Sequence, residues 1–427
     1  MTAWYNIPVI EEQKASRVDY LIILFLICCS GFPTFIFTTT YSLSVLFLLA
    51  SFYFIHTKQR VDKYFTRTII LLLVITIAHF FQFDYLALES MVSLLIIFIS
   101  SYFIIKIFRM QFLFIYVRLM VIITVLSFFF YLIILLSPEI TEFIITKIAP
   151  VFQVSTGTFF DHPPTILVYV FNYYDEGTGL YRNSGPFWEP GAFGGFLVIA
   201  LIFNLLIERK VFSKRSIILI LGIITTFSTT SYIALSLLLF FYATIRTSFI
   251  TKMVLIPIFL AGILYLYDEL PFLGEKIDLQ YSSLSTSSVD YQQRTRFVSA
   301  MLDMYDFMEY PVWGRGKSDV TRFTGYASYA GELKHRNNGL TDFLAQYGSF
   351  GFIFFFGTLL VSLSKLSKYF FAHKSYAVFL LLIILAIGFS EKYYNRPLFV
   401  CLPFLFIIFI KSKKHDGIPN LYKHSCS

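Results

Sequence analysis

Runs of roughly 15–20 apolar residues recur along most of the chain, and they constrain the fold more than any other feature. Hydrophobic residues make up 57% of the 427 residues and charged residues only 14%, whereas soluble domains carry about 25% charged residues. Backbone groups inside a bilayer must be satisfied within their own segment, so these runs are expected to be helices. The sequence therefore predicts an all-α, polytopic integral membrane protein.

The basic residues between the apolar runs set the predicted topology. Lys and Arg favour cytoplasmic connections, and counting the crossings on that basis gives about 12 transmembrane helices with both termini in the cytoplasm. Two long polar segments, 138–190 and 268–348, then lie outside the cytoplasm. The net charge of +8 follows this distribution between the spans, so nucleic acid is not an expected partner. We treat 1–427 as a single integral membrane domain.

An amphipathic helix is predicted near 297–308, within the second polar segment. Its apolar positions follow the helical period and comprise Phe297, Ala300, Met301, Met304, Tyr305 and Met308. Asp303, Asp306 and Glu309 fall on the opposite face. We expect the apolar face to lie against lipid or the helix bundle and to tolerate substitution less than the acidic face. Arg322, Lys334 and Arg336, further along, are expected to form a solvated basic surface.

The stretch 181–191 is a rigid, polar, aromatic turn that ends where an apolar run begins. It contains Arg182 and Glu189, and charged residues so close to hydrocarbon are usually functional. The guanidinium of Arg182 is suited to a phosphate or diphosphate, which it can bind with two parallel hydrogen bonds. Glu189 precedes Pro190 and is either a helix N-terminal carboxylate, an acid or base, or a group that orients Arg182.

A second candidate group surrounds His335, just before another apolar run. His335 is either an idle loop histidine or a general base at the same membrane depth as Arg182. The acidic and histidine residues show no metal-ligand spacing, so neither a metal nor a cofactor is predicted. Glu391 and Arg396, in the last outer turn, are expected to form a local ion pair.

Three patches of this sequence resemble motifs of one family of enzymes. The stretch 182–190 (Arg-x-x-Gly-x-Phe-x-Glu-Pro) resembles the arginine motif of Wzy-type O-antigen and capsule polymerases. Arg296, with the later stretch 311–316 that contains Gly-Arg-Gly, resembles the second arginine motif. His335, with Leu340 and the two glycines of 348–351, resembles the histidine motif of the wider O-antigen ligase and polymerase superfamily. The turn 228–231 lacks the basic residue often found there in relatives, which leaves its role in substrate contact open.

The resemblance implies a GT-C-like, multi-pass enzyme of the bacterial cytoplasmic (inner) membrane that works in lipopolysaccharide or capsule biosynthesis. Such an enzyme is an inverting, metal-independent glycosyltransferase. It transfers the growing glycan from undecaprenyl diphosphate to the non-reducing end of the next lipid-linked repeat unit. Its partners would be undecaprenyl-diphosphate-linked oligosaccharides, membrane lipid and a chain-length regulator. The implied site residues are His335 and Glu189 for catalysis, Arg182, Arg294, Arg296 and Arg315 for the diphosphate, and Trp188, Tyr173, Tyr174 and Asn337 for sugar contacts.

Two alternatives remain at this point. The ligase of the same superfamily passes a finished glycan to a different acceptor, and the Phe-x-Glu-Pro form of 187–190 favours the polymerase over it. An exporter of lipid-linked oligosaccharide or polysaccharide is expected to carry charges along a path through its spans. In this sequence the informative charges gather in the outer segments instead, which favours the enzyme.

Overall fold

The computed structural model describes residues 15–152, 163–172, 181–245, 251, 253, 295–323, 336–371, 374 and 376–410. This part of the chain is mostly helical, and six of its helices are long and apolar enough to cross a membrane. The prediction of an all-α membrane protein is therefore confirmed. The sequence also predicts a span near 253–267, and this apolar run lies almost entirely outside the described residues.

The elements before the first gap are α1 (Arg17–Gly31), α2 (Pro33–Phe37), α3 (Thr39–His56), α4 (Lys63–Phe83), α5 (Leu88–Phe108), α6 (Gln111–Leu136), α7 (Pro138–Phe143), a π-helical turn (Ile144–Ile148) and α8 (Ala149–Phe152). Two short antiparallel strands follow, β1 (Thr165–Ile166) and β2 (Tyr169–Val170). The later helices are α9 (Pro190–Glu208), α10 (Lys214–Thr225), α11 (Thr229–Ile245), α12 (Arg296–Glu309), α13 (Asp319–Arg322), α14 (Gly339–Phe371), α15 (Tyr376–Ser390) and α16 (Pro397–Phe404), which continues as a 3₁₀ turn (Leu405–Phe409).

Helix α9 is the central helix of the bundle. It is 94% buried over its most apolar stretch, whereas no other candidate span exceeds 44%. Helices α6, α10, α11 and α15 pack around it. Two glycines allow the closest approaches, because a side chain at Gly194 would overlap Ser231 of α11 and one at Gly195 would overlap the ring of Tyr393. These contacts bring the start of α11 and the turn before α16 to the N-terminal end of α9.

The connections that the sequence assigns to the outside meet at one end of the bundle. The contacts that join them are Asn183 N to Thr225 O (3.0 Å), Arg296 Nε to Ser390 O (2.9 Å), His79 Nε2 to Trp313 O (2.7 Å) and Gln82 Nε2 to Gly314 O (2.8 Å). Ion pairs at connections assigned to the cytoplasm include Lys106 with Asp62 (2.8 Å) and Arg215 with Glu208 (3.3 Å). The two sets of contacts lie at opposite ends of helices such as α4 and α10.

Helix α14 is broken at Gly348, where φ is 62° and ψ is −172°. The backbone groups released by the break pair with the stretch 311–316. Arg315 N and Gly316 N donate to Ala345 O and Gln346 O (both 2.8 Å), and Ser349 N donates to Pro311 O (2.8 Å). Gly314 has φ 75°, and a Cβ there would lie 2.5 Å from Gly348 N. Glycine is needed at both Gly314 and Gly348, because a Cβ at either position would overlap the backbone of the other segment.

Helix α12 occupies the place of the predicted amphipathic helix, but two of its three acidic residues, Asp303 and Asp306, point inward, while Glu309 is exposed. Asp303 and Asp306 are buried, whereas Tyr305 is 46% exposed and Met308 67% exposed. The expectation that the acidic face would be the tolerant one is wrong. The physical reason is pairing, since three arginines, Arg315, Arg322 and Arg336, reach these carboxylates and offset the cost of burying them.

A buried ionic cluster connects α12, the segment after it and the start of α14. Arg322 pairs with Asp306, with Asp303 (2.5 Å) and with Asp342 (3.1 Å). Arg336 lies 3.2 Å from Asp303 and 3.6 Å from Asp306. The predicted solvated surface is therefore wrong for Arg322 and Arg336, both of which are only 1% exposed. Lys334 lies outside the described residues.

The break in α14 predicts that alanine substitution lowers stability much more at one glycine than at another. We expect Gly314→Ala to lower the thermal unfolding temperature of the purified protein strongly, because the positive φ alone costs about 1–2 kcal/mol and the Cβ meets the Gly348 backbone. Gly357→Ala, within α14, is the control, since no atom lies within 4 Å of the Cβ position of Gly357. Equal unfolding temperatures for the two variants would show that the close approach is not needed.

The ionic cluster predicts that Asp303→Ala destabilises the fold. Removing one partner leaves buried arginine charge uncompensated, and the expected cost is about 3–5 kcal/mol. Met308→Ala, on the exposed face of the same helix, is expected to change stability little. Thermal unfolding in detergent checks both, and a larger loss for Met308→Ala would contradict the assignment of the faces.

Candidate functional site

The turn before α9 is held by the buried side chain of Asn183. Its amide donates to Ser127 Oγ on α6 and to Thr225 Oγ1 on α10, both at 3.1 Å. Its carbonyl oxygen accepts from Gly185 N at 2.9 Å, and Gly185 adopts a positive φ of 52°. The turn is thereby fixed to two helices, and this fixes the position of the neighbouring Arg182.

Three of the predicted site residues line one cleft at this end of the bundle. They are Arg182, Glu189 and Arg296, although Arg296 is far from the other two in the sequence. The cleft measures about 320 Å³ including its solvent-filled mouth. The rest of its lining comes from the first residues of α9 and from the turn that opens α11: Pro190, Gly191, Ser228, Thr229 and Thr230.

The turn at 228–230, whose role the sequence left open, forms a wall of this cleft. Arg182 Nε donates to Thr226 O just before it at 3.1 Å. Two helices, α9 and α11, begin at the cleft, and their first backbone N–H groups have no partner within the helix. Helix N-termini carry partial positive charge. Together with the two arginines they make this end of the bundle favourable for an anion.

Glu391 approaches the same site from the turn between α15 and α16. Its carboxylate accepts hydrogen bonds from Arg296 Nη2 (3.1 Å) and from Trp188 Nε1 (3.3 Å). The guanidinium of Arg396 lies over the Trp188 ring, 5.2 Å from its centroid. The expected pairing of Glu391 with Arg396 is thus replaced by a pairing with Arg296. No local sequence pattern predicts the pairing of Glu391 with Arg296, because the two residues lie on separate parts of the chain.

The carboxyl groups of Glu391 and Glu189 lie close to each other beside Gly191. A Cβ placed on Gly191 would lie 3.2 Å from Glu391 Oε1 and 3.8 Å from Glu189 Oε1, so the two groups converge on this glycine. Burial raises the pKa of Glu391 well above its usual range, the charge of Glu189 raises it further, and Arg296 offsets part of the shift.

Tyr393 and Gly339 hold the Glu391 turn in place. Tyr393 lies fully buried against α9, and its hydroxyl donates to Gly191 O at 2.9 Å. Gly339 opens α14, and a side chain there would overlap the carbonyl of Glu391. The start of α14, which belongs to the stretch that resembles the histidine motif, therefore packs on the backbone of the Glu391 turn.

The remaining predicted site residues divide into three groups. Trp188 is half-buried behind the cleft, and Asn337 N donates to Ser299 Oγ on α12 (3.2 Å), one turn after Arg296. Arg315 is not in the cleft, because it is buried in the ionic cluster with Asp306 (3.4 Å) and Glu309, so its expected contact with the diphosphate is wrong. The others lie outside the described residues: His335, Arg294, Tyr173 and Tyr174.

Within the described part of the chain, no group of three or more His, Cys, Asp or Glu side chains is placed to hold a metal ion. The described part of the cleft brings together cations, carboxyl groups and hydroxyls. Such a set can bind an anion, accept or donate a proton and hydrogen-bond a polyhydroxylated ligand. No family model and no curated protein matches this chain.

Proposed function

We propose that this protein is a glycosyltransferase that polymerises lipid-linked oligosaccharide repeat units at the outer face of the bacterial cytoplasmic membrane. The observation that carries the proposal is the convergence of Arg182, Arg296 and Glu189 on one polar cleft at the end of an apolar helix bundle. The resemblance of 182–190 and of the segment after Arg296 to Wzy-type polymerases supports the same assignment.

The chemistry of the cleft suits the leaving group of this reaction. Departure of a lipid diphosphate develops negative charge on phosphate oxygens, and donors already aimed at that position lower the barrier. Arg182 and Arg296 supply such donors, and the N-termini of α9 and α11 add partial positive charge. Arginine suits this role because its planar fork can bind two phosphate oxygens at once.

The other half of the reaction needs a base for the acceptor hydroxyl. Glu189 lies in the cleft lining, and in this proposal it takes the proton of the hydroxyl as the new bond to the anomeric carbon forms. The bond between that carbon and the diphosphate oxygen breaks, and the electron pair leaves with the diphosphate. The hydroxyls of Ser228, Thr229 and Thr230 border the cleft and provide hydrogen-bonding partners for sugar.

The location of the cleft suits a substrate with a lipid tail. It lies where helix connections meet a bundle with exposed apolar side chains such as Phe350 (38% exposed) and Ile353 (69% exposed) on α14. A lipid-linked diphosphate can keep its tail in the bilayer while its headgroup enters the cleft. In the proposed arrangement the chain has about 12 spans in a GT-C-like bundle, with both termini in the cytoplasm.

The ligase and exporter alternatives are less well supported. A ligase would use the same donor, and the polymerase is preferred on the Phe-x-Glu-Pro sequence at 187–190. For an exporter, cationic residues are expected within the spans along a path. Here Arg182 precedes α9 and Arg296 is the first residue of α12, so both lie at the end of the bundle.

The diphosphate role predicts that arginine cannot be replaced by lysine in the cleft. We expect Arg182→Lys and Arg296→Lys to lower turnover about a hundredfold, nearly as much as the alanine variants, because charge is kept but the two-point contact is lost. The measurement is chain growth on gels with purified protein and a synthetic lipid-linked repeat unit. Arg215→Lys, at the opposite end of the bundle, is the matched control. Wild-type chain growth by Arg182→Lys would refute the role of Arg182.

The orientation predicts which engineered cysteines react with an impermeant thiol reagent. In cells with a permeabilised outer membrane we expect Asp319→Cys to be labelled and Lys210→Cys to be protected, since both positions are exposed at opposite ends of the bundle. Cys28, Cys29 and Cys401 are buried, so only Cys426 needs to be replaced beforehand. Labelling of Lys210→Cys with protection of Asp319→Cys would invert the topology and place the cleft in the cytoplasm.

A further inference from the structure

We infer that Glu391 is a positioning residue that works in its uncharged, protonated form beside Glu189 and so keeps the cleft positive for the diphosphate. The inference deepens the proposed function and rests on it for the identity of the anion. Glu391 lies outside the stretches that resemble polymerase motifs, and it was expected to form only a local ion pair.

The first argument is the contact between the two carboxyl groups. The carboxyl groups of Glu391 and Glu189 converge on Gly191, because a Cβ placed there would lie 3.2 Å from Glu391 Oε1 and 3.8 Å from Glu189 Oε1. Like charges this close cannot both stay ionised at low cost, so the pair holds one proton between them.

The second argument places the proton on Glu391. Glu189 lines the open cleft together with Arg182 and Arg296. Glu391 is only 7% exposed and lies behind Glu189, where burial penalises the charged form. In its protonated state it can donate to Glu189 while its other oxygen accepts from Arg296 or Trp188. The geometry therefore gives the two glutamates different roles.

The third argument concerns the charge of the cleft. With Glu391 neutral, Arg182 and Arg296 face one negative charge, that of Glu189, and a net positive charge remains. With Glu391 ionised, the two positive and two negative charges cancel. Arg296 is then paired with a charged carboxylate. The ionisable groups that face Glu391 come from three elements: Glu189 before α9, Arg296 on α12, and Tyr393 and Arg396 on its own turn. Arg396 favours ionisation, but its guanidinium lies over Trp188.

The test uses inorganic diphosphate as the probe and the full-length protein in detergent. As pH rises through the raised pKa of Glu391, the wild type is expected to lose affinity for diphosphate roughly tenfold, the size expected for one added charge about 10 Å away. Glu391→Gln mimics the protonated form and cannot ionise. It is expected to keep the low-pH affinity to within a few fold and to show no such loss as pH rises.

Infrared spectroscopy gives a readout that does not depend on any ligand. At neutral pH the wild type is expected to show the carbonyl band of a protonated carboxylic acid that is missing from Glu391→Gln. Trp188→Phe controls for local disturbance, because it removes one hydrogen bond to Glu391 without changing either glutamate. In that variant the band is expected to shift rather than vanish. Unfolding temperatures are measured on each variant, so that a misfolded protein is recognised.

Chain-growth measurements distinguish the roles of Glu189 and Glu391. Glu189→Gln is expected to lower turnover about a hundredfold or more, as for a lost acid–base group, whereas Glu391→Gln costs less than roughly tenfold and less than Glu391→Ala. Identical infrared bands in wild type and Glu391→Gln, or a pH dependence of diphosphate binding that survives in Glu391→Gln, would overturn the inference. If the wild type fails to extend lipid-linked repeats, the proposed function fails while the infrared result still decides the protonation of Glu391.

Discussion

The cost of burying charge beside a membrane is the constraint on which the outer end of this protein depends. An isolated charge in such surroundings is strongly unfavourable, and a buried pair is tolerated only when its geometry and hydrogen bonds are good. The described chain meets this condition with two groups of charges. One is the ionic cluster around Arg322, and the other is the set of Arg182, Arg296 and Glu189 at the cleft, which Glu391 adjoins through Arg296. The first stabilises the fold, and we assign function to the second.

The two groups of charges are physically connected. Asp342 of the cluster accepts from Gln346 Nε2 at 2.8 Å, and Gln346 Oε1 in turn accepts from Asn395 Nδ2 at 2.8 Å. Asn395 belongs to the turn that carries Glu391, and Lys392 of that turn lies 3.6 Å from Asp342. Helix α12 joins them again, since Arg296 begins it and Asp303 lies two turns later. A continuous series of polar contacts therefore links the cluster to the turn that carries Glu391.

Glycine residues make the close backbone contacts in this region possible. The break of α14 at Gly348 is closed by 311–316, and Gly314 allows the two backbones to touch. On α9, Gly195 admits the ring of Tyr393 and so brings the Glu391 turn to the cleft. The glycines in the stretches that resemble polymerase motifs thus have a packing reason in this chain, independent of any direct contact with substrate.

The sequence by itself determined the membrane class and most of the helix positions, because these depend on local hydrophobicity. It also singled out Arg182, Glu189 and Arg296, since charge is scarce in this chain. Only the tertiary structure decided which charges meet: Asp303 and Asp306 point inward, Arg315 belongs to the cluster, and Glu391 faces Glu189. Periodicity places a residue on a face of its helix, but pairing between distant segments depends on how the helices pack, and that long-range arrangement decides which face is buried.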